Sequence, residues 1–358
     1  MNLNIDKDLW QYLSESKKKI VMYGMGNGAD KILKVCERKG IEVSDFFASD
    51  GFVRGHSFHG KTVLSYSEAK AKYGSENMIV LLSFASSLPD VIENILRIAS
   101  ECELYAPDVP VFGEELFDME FYRANLERIN EVYGLLSDEE SKRIFANTVA
   151  YKLTGAIGYL EAAVSSKEEV YTGLLSADGI KTCLDLGAYN GDTARELAEY
   201  ASGLERVIAL EPDRRNFKKL SAYAETEDRF ELIAKNAAAW SEPAVLEFAA
   251  DGNRNSNVSS GGKVVQIEGT TVDAVAEGLF VDYIKYDVEG SEAAAICGSA
   301  NTIKRCKPAL LVSLYHRSED IFSLPLMLRE ISPDYRLYLR RYRYIPAWDL
   351  NLICVPTK

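Results

Sequence analysis

Two segments of this sequence have the pattern of a β-strand, a glycine-rich loop and an amphipathic helix, which is typical of an α/β sheet. The first reads KKIVMYGMGNGADKILKVCERKG from Lys18 to Gly40, and the second reads CLDLGAYNGDT from Cys183 to Thr193. Because a domain typically has about 150 residues, a chain of 358 residues that repeats this pattern is predicted to contain two domains.

The pattern divides the chain into three parts. Residues 1–115 are predicted to form a small doubly wound α/β domain, residues 116–178 a helical connector, and residues 179–358 a second α/β domain. The segment from Val245 to Gly269 is predicted to be a hairpin with a polar loop at Asp251 to Gly262. Strands of the second domain are predicted at Thr182–Leu186, Val207–Glu211, Phe230–Lys235, Val281–Asp287, Ala309–Tyr315, Tyr335–Arg340 and Leu350–Val355.

The connector has a helical stripe of apolar residues. Tyr122, Leu126, Ile129, Tyr133 and Leu136 recur at steps of four and three. The stripe is predicted to pack the two domains together, and the alternative is a contact in a homodimer. Two further helices are predicted where a serine precedes a glutamate by three positions, which is a capping box: these pairs are Ser137 with Glu140 and Ser166 with Glu169.

Composition excludes several classes of protein. With 41 Lys and Arg against 54 Asp and Glu, the net charge of −13 disfavours a non-specific nucleic-acid binder. Apolar runs stay short of the roughly 18 residues of a membrane helix, so no membrane span is predicted. The start, MNLNIDKDLW, lacks a signal-peptide pattern, and a cytoplasmic location is expected. Three histidines and six scattered cysteines show no zinc-site spacing, so no metal is predicted.

Acidic residues at two strand ends indicate the kind of ligand. Asp185 ends a strand, and Gly187 and Gly191 follow it before a helix begins. A pyrophosphate would be repelled by Asp185, whereas the cationic methionine part of S-adenosylmethionine would be attracted. Glu211, at the end of the next strand, is placed to accept hydrogen bonds from both ribose hydroxyls.

Four strings in order, DLGAYNGDT, ALEPDRRNF, IKYDVEGSE and LVSLYHRSEDIF, resemble the FkbM-family methyltransferases. The resemblance covers about residues 168–358 and implies a class I methyltransferase sheet that binds S-adenosylmethionine. It implies methylation of hydroxyls on sugars or natural products. The pair Tyr189-Asn190 departs from the family pattern, in which an asparagine comes earlier. The predicted cofactor-binding residues are Asp185, Gly187, Ala188, Asn190, Gly191, Thr193, Glu211, Pro212, Asn236, Ala237 and Asp287.

Three further polar residues fall at or just after predicted strand ends and are the candidates for catalysis. Asp287, Glu289 and His316 are expected near the cofactor, because ligands of open α/β sheets bind at the carboxyl ends of the strands. His316 is the first choice for a base, since an imidazole with a pKa near ~6.5 accepts a proton at neutral pH. Asp287 would then orient the acceptor or the imidazole, and Glu289 would support the loop. Binding of a divalent metal by the same three residues is the alternative.

Two other sequence patterns, a glycine-rich loop and an arginine-rich strand, each have two interpretations. The loop from Gly24 to Ala29 fits G-x-G-x-x-A, and Asp50 ends the following strand, so a dinucleotide or nucleotide-sugar site is possible there. A domain that has kept its fold and lost its ligand is the other interpretation. The string YRLYLRRYRY from Tyr335 to Tyr344 is predicted to be an exposed strand with solvated arginines, and its alternative is a contact for an anionic acceptor.

The sequence therefore predicts a two-domain, S-adenosylmethionine-dependent O-methyltransferase acting on a small-molecule or glycan acceptor. The rivals are an NAD(P)-dependent oxidoreductase or nucleotide-sugar-binding protein that uses the amino-terminal glycine loop, and a non-catalytic binding protein with a methyltransferase fold.

Overall fold

The computed structural model describes residues 1, 3–53, 55–249 and 264–357. It has two main β-sheets, one of five strands and one of seven. The polar loop predicted at Asp251 to Gly262 lies outside the described residues. Within these ranges, no helix combines the length and the apolarity that crossing a membrane requires.

The first sheet lies in the amino-terminal third of the chain. Its strands run parallel in the order β5-β2-β1-β6-β7, which is a doubly wound arrangement as predicted. The strands are β1 (Lys19–Tyr23), β2 (Val43–Ala48), β3 (Ser57–Phe58), β4 (Lys61–Thr62), β5 (Leu64–Ser65), β6 (Met78–Leu82) and β7 (Glu103–Tyr105), with β3 and β4 forming a separate hairpin. The helices are α1 (Leu9–Glu15), α2 (Asn27–Arg38), α3 (Tyr66–Tyr73) and α4 (Pro89–Glu101).

Helices follow the first sheet. They are α5 (Met119–Ala124), α6 (Leu126–Leu135), α7 (Glu139–Thr154) and α8 (Gly158–Glu161), and a π-helical turn covers Glu169–Leu174. Of the predicted stripe, Ile129 and Leu136 are buried in the core of the second sheet, and Tyr122 and Tyr133 pack against it. Tyr151 and Leu160 are buried in the core of the first. The helices therefore pack against both sheets, as a connector does.

One predicted helix start is wrong. The cap of α7 is Asp138, whose carboxylate accepts a hydrogen bond from the backbone N–H of Ser141 at 2.7 Å. The hydroxyl of Ser137 instead accepts a hydrogen bond from the backbone N–H of Leu337. A contact across 200 residues of sequence thus replaces the local capping box.

The second sheet has the strand order β10-β9-β8-β14-β15-β17-β16, in which β17 is antiparallel to both of its neighbours. Its first strands are β8 (Thr182–Leu186), β9 (Arg206–Leu210) and β10 (Glu231–Lys235). The others are β14 (Tyr283–Tyr286), β15 (Ala309–Ser313), β16 (Tyr335–Arg341) and β17 (Leu350–Pro356). Along the chain, between β10 and β14, three strands form a separate sheet: β11 (Ala238–Ala239), β12 (Ala244–Ala249) and β13 (Val264–Thr270). The antiparallel pairing of β12 and β13 confirms the predicted hairpin.

Helices of the second domain are α9 (Asp192–Tyr200), α10 (Arg214–Ala224), α11 (Val272–Val275), α12 (Glu292–Cys297), α13 (Ala300–Cys306) and α14 (Asp320–Ile331). The chain runs outward from β8 to β9 and β10, and then returns to β14 on the other side of β8. This reversal opens a crevice at the carboxyl ends of β8 and β14, where open α/β sheets bind their ligands.

Candidate active site

The loop after β8 is shaped by close packing against β14 and α10. Gly187 has a φ of +84°, and a Cβ atom there would lie 1.9 Å from the backbone oxygen of Asp287. Gly191 has a φ of +85°, and its Cβ would lie 2.6 Å from the ring of Tyr223. In the structure these two glycines make room for the protein itself, which holds the loop over the crevice.

Asp185 is a buried carboxylate without a partner. Its side chain, on β8, is 0% exposed, and neither oxygen has a hydrogen-bond donor among the described residues. Burial raises the pKa of Asp185 to about 7, although Lys285 opposes the shift. Burying an unpaired carboxylate is costly, so a site that retains one is suited to a ligand that brings positive charge.

Lys285 is a site residue that the sequence analysis missed. It lies beside Asp185 in the parallel register of β14 and β8. Its ammonium donates to Thr193 Oγ1 at 3.0 Å and to Asp287 Oδ2 at 3.2 Å. Burial favours neutral lysine, but Asp287 and Asp185 outweigh it and raise the pKa of Lys285. A lysine within the apolar strand YIKY was the available signal, since lysine is rarely buried unless paired.

Glu211 holds the β8 loop from the end of the next strand. Its carboxylate accepts hydrogen bonds from the backbone N–H groups of Tyr189 at 2.7 Å and Asp213 at 2.8 Å. Burial raises the pKa of Glu211 to about 8. A carboxylate has about four lone-pair sites, so two remain for hydroxyl donors. The amide of Asn236 donates to the backbone oxygens of Glu211 and Pro212, which fixes the turn beside this carboxylate.

The other predicted cofactor residues lie near these acids. Gly187 and Ala188 donate their backbone N–H groups to the carbonyl oxygen of Leu210, which joins the β8 loop to β9. Asn190 has a buried Oδ1 with no hydrogen-bond partner among the described residues. Ala237 is buried just after β10. Ala188, Asn190 and Ala237 are thus placed along the carboxyl ends of neighbouring strands.

A second cluster of charged residues surrounds His316. The imidazole is 0% exposed, with Nδ1 2.8 Å from Glu292 Oε1 and Nε2 3.3 Å from Glu289 Oε2. The distance from Nε2 to Asp287 Oδ1 is 3.7 Å. Although burial opposes it, Glu292 and Glu289 raise the pKa of His316 well above its ordinary value. The premise that this imidazole has an ordinary pKa near ~6.5 is therefore wrong, because carboxylates enclose the ring.

Asp287 and Glu289 differ in their electrostatics. Asp287 accepts hydrogen bonds from Ser313 Oγ at 3.0 Å and Tyr315 Oη at 3.1 Å. Burial opposes ionisation of Asp287, but Lys285 and His316 outweigh it and lower its pKa. Burial raises the pKa of Glu289. Glu289 also has a φ of +53°, a left-handed conformation that is strained for a residue other than glycine.

Residues beyond the sheet edge form walls around this cluster. Phe112, which comes after the last strand of the first sheet, donates its backbone N–H to the carbonyl oxygen of His316 at 2.9 Å, and the two ring centroids are 5.8 Å apart. On another side, Tyr315 and Trp348 lie with centroids 6.3 Å apart and rings inclined by 26°. Both aromatic rings are half-buried. Sequence reasoning missed Phe112, because only the tertiary fold brings it to His316.

The prediction of a solvated arginine strand is wrong for two of its arginines. Arg340 and Arg341 are 2% and 0% exposed. Arg340 pairs with Asp138 at 2.7 Å and Glu169 at 2.8 Å, and Arg341 donates to the backbone oxygen of Tyr344. The connector covers this end of β16, so these arginines join the connector to the sheet and do not reach an acceptor.

Packing explains part of the amino-terminal glycine loop. A Cβ at Gly24 would lie 2.6 Å from the ring of Phe84, and one at Gly28 would lie 2.1 Å from the backbone oxygen of Ser83. Asp50 lies just after β2, and its carboxylate accepts hydrogen bonds from the backbone and hydroxyl of Ser67. In the part of the chain that the structure describes, no three His, Cys, Asp or Glu side chains are arranged to hold a metal ion.

Comparison with known proteins identifies the second domain. Residues 185–346 match the family model described as the methyltransferase FkbM domain. The fold is similar to that of methyltransferase FkbM from Methylobacillus flagellatus KT, with 20% identity, a TM-score of 0.72, and coverage of 94% of this chain and 90% of that chain. No curated protein matches the chain.

Two other solved structures overlap with part of the chain. A SAM-dependent methyltransferase from Aquifex aeolicus is 11% identical and covers 54% of this chain and 94% of its own, with a TM-score of 0.31. Fibrillarin from Aeropyrum pernix, solved with natively bound S-adenosyl-L-methionine, is 13% identical and covers 49% and 66%, with a TM-score of 0.32. The methyltransferase fold predicted from the sequence is confirmed by this similarity, and residues 185–346 of this chain match the model of the FkbM methyltransferase domain.

Proposed function

We propose that the protein transfers the methyl group of S-adenosylmethionine to a hydroxyl oxygen of a small-molecule or glycan acceptor. The observation that carries this proposal is the buried, unpartnered carboxylate of Asp185 at the point where the strand order reverses. A ligand with an ammonium and a sulfonium group supplies the positive charge that Asp185 lacks. The FkbM family match over the same residues supports the same donor.

Two residues would hold the donor, and two others would support them. Asp185 would face its cationic part, and Glu211 would accept hydrogen bonds from its ribose hydroxyls. Asn236 fixes the turn after Glu211, and Lys285 balances the negative charge of Asp185 and Asp287. When bound, the donor supplies an electrophilic methyl group on sulfur.

Transfer to an alcohol also needs a place for the hydroxyl proton. Asp287, Glu289 and His316 are the groups available at the adjacent strand ends, and His316 Nε2 faces both carboxylates. The oxygen gains the methyl group and loses its proton to this cluster in a single displacement, so no covalent enzyme intermediate is needed. The half-buried rings of Tyr315 and Trp348 beside Asp287 supply an apolar surface against which an acceptor ring would pack.

Donor identity is tested by comparing thermal unfolding of the full-length protein with S-adenosylhomocysteine, NAD, NADP or no ligand. We expect stabilisation by S-adenosylhomocysteine alone, because a ligand that binds only the native state raises the unfolding temperature. The variant Asp185→Ala is expected to lose this stabilisation, whereas the exposed-site control Asp228→Asn keeps it. Stabilisation by a nicotinamide cofactor alone contradicts the proposal and favours an oxidoreductase. No stabilisation by any of these ligands favours a protein that has lost its donor.

A further inference from the structure

Glu292 and His316 form a buried pair beside the crevice. Glu292 is the first residue of α12 and is 1% exposed. Its Oε1 accepts a hydrogen bond from the backbone N–H of Val288 at 3.0 Å and lies 2.8 Å from His316 Nδ1. The carboxylate is therefore held by the loop that carries Glu289 and lies against the ring nitrogen.

Other residues contact the rest of the imidazole ring. Phe112 packs against the ring, and its backbone N–H holds the carbonyl oxygen of His316. Nε2 is directed toward Glu289 and Asp287, the two carboxylates that follow β14. The two ring nitrogens thus have different surroundings. Nδ1 faces a carboxylate that is 1% exposed, whereas Nε2 faces side chains that are 24% and 25% exposed at the crevice.

We propose that Glu292 is a positioning residue that keeps a proton on Nδ1 of His316 and thereby makes Nε2 the nitrogen that exchanges protons with the methyl acceptor. Glu292 Oε1 is 2.8 Å from Nδ1, whereas the carboxylate oxygens that face Nε2 are 3.3 Å and 3.7 Å away. Because a carboxylate oxygen only accepts hydrogen bonds, a ring with a single proton keeps it on the nitrogen with the nearest carboxylate, which is Nδ1. The proposal rests on the proposed function for the identity of the reaction. It concerns a residue that acts through His316 and does not touch the acceptor.

Proton transfer then follows a definite order. Nε2 first gives up its proton to Glu289, whose Oε2 is 3.3 Å away. It then takes the proton of the acceptor hydroxyl while the oxygen forms its bond to the methyl carbon. The carbon–sulfur bond breaks with its electron pair remaining on sulfur, so the sulfonium becomes a neutral thioether.

Charged groups face His316 from three elements. Glu292 comes from α12, Asp287 and Glu289 from the segment after β14, and Asp320 from α14, where burial and Glu292 raise the pKa of Asp320 to about 8. The cation of Arg317 is turned toward the backbone oxygen of Gly290. The pKa of His316 is raised above its ordinary value despite burial, and Glu292 is the largest contributor to the increase. Removal of the Glu292 charge is thus expected to lower the pKa of His316.

Nitrogen NMR of the full-length protein labelled with ¹⁵N-histidine tests the pair directly. The chain has only three histidines, so three rings give signals, and His316→Gln assigns the signal of interest. In the wild type, we expect Nδ1 to stay protonated through the titration, while Nε2 loses its proton at a pH above ~6.5. In Glu292→Gln the midpoint is expected to fall by about one pH unit or more.

Matched controls separate positioning from general disruption. The exposed variant Glu330→Gln should leave the His316 titration unchanged, and Glu292→Asp, which keeps the charge, should retain part of the shift. A neutral wild-type ring that carries its proton on Nε2 overturns the proposal without the need for any variant. An unchanged midpoint in Glu292→Gln also overturns it.

Calorimetric titration of S-adenosylhomocysteine into the same samples keeps this proposal distinct from the proposed function. Glu292→Gln is expected to bind with an affinity close to that of the wild type, because Glu292 lies outside the donor site. If the wild type does not bind S-adenosylhomocysteine but the NMR result holds, the donor assignment fails while Glu292 remains the residue that positions His316.

Discussion

Asp185 illustrates how a ligand-binding residue reduces the stability of the empty fold. Burial raises its pKa from an ordinary value of 3.8 to about 7. Between these two values the unfolded chain has lost the proton while the native protein retains it, so stability decreases as the pH rises. The destabilisation is complete only above about pH 7, and it is absent below about pH 4.

This pH dependence gives a prediction for Asp185→Asn, which cannot ionise. The free energy of unfolding of the variant, relative to the wild type, should increase by about 2–4 kcal/mol from pH 4.5 to pH 7.5. Urea unfolding at the two pH values measures it, with Asp228→Asn as the exposed control. Equal pH dependence of the variant and the wild type would mean that Asp185 is not held in the protonated form by burial.

His316 carries the prediction for catalysis. With an acceptor in hand, His316→Ala should lower turnover by about 10²–10⁴-fold while the affinity for the donor stays near that of the wild type. Because the pKa of His316 is raised and a base acts in its deprotonated form, wild-type turnover should still rise as the pH increases above ~6.5.

Steady-state rates from pH 6 to pH 9, together with donor titrations, measure both effects. Full activity in His316→Ala eliminates it as the base. Activity that is abolished by EDTA and restored by magnesium favours the metal alternative.

At the scale of elements, Arg340 joins β16 to the connector. It bridges Asp138 at the start of α7 and Glu169 at the start of the π-helical turn. Arg340→Leu leaves these two carboxylates without their cation and should cost about 2 kcal/mol in the free energy of unfolding, less than a fully buried pair because both acids are partly exposed. Arg336→Leu, on the same strand but exposed, should change it by less than about 0.5 kcal/mol. Urea unfolding distinguishes them, and equal effects would contradict the structural role of Arg340.

The β16 strand also shows the limit of local sequence patterns. Apolar runs predicted the strands of the second sheet, because burial against the helices is a property of consecutive residues. The string YRLYLRRYRY was predicted to be exposed because of its charges. Its burial depends on Asp138 and Glu169, which lie about 200 and 170 residues earlier and are brought to it only by the tertiary fold.

In the candidate site, too, local sequence patterns predicted some residues and missed others. Asp185, Glu211 and Asp287 were predictable, since the carboxyl ends of parallel strands meet at one edge of a sheet. Lys285 was missed although its position within an apolar strand was visible, and Glu292 was not predicted as a site residue. Their roles depend on strand register and on the packing of α12, which residue spacing alone does not define.

At the scale of the whole molecule, the amino-terminal part contacts the methyltransferase domain beside His316 and beside Ile345. Phe112 packs against His316, and Ser86 forms a pair of backbone hydrogen bonds with Ile345. Ile345 is three residues before Trp348, whose ring is part of the wall beside Asp287. We therefore expect the first domain to shape the acceptor side of the site, whereas the donor side is built entirely by the second domain.

The central claim is that Asp185 and Glu211 bind S-adenosylmethionine at the ends of β8 and β9. Isothermal titration of S-adenosylmethionine into the wild type, Asp185→Ala, Glu211→Ala and the control Asp228→Asn tests it most directly. We predict binding by the wild type and the control, and a loss of about tenfold or more in affinity in each of the other two, because each loses a charge-assisted contact worth roughly 1.5–3 kcal/mol. Unchanged affinity in both folded variants would contradict the claim.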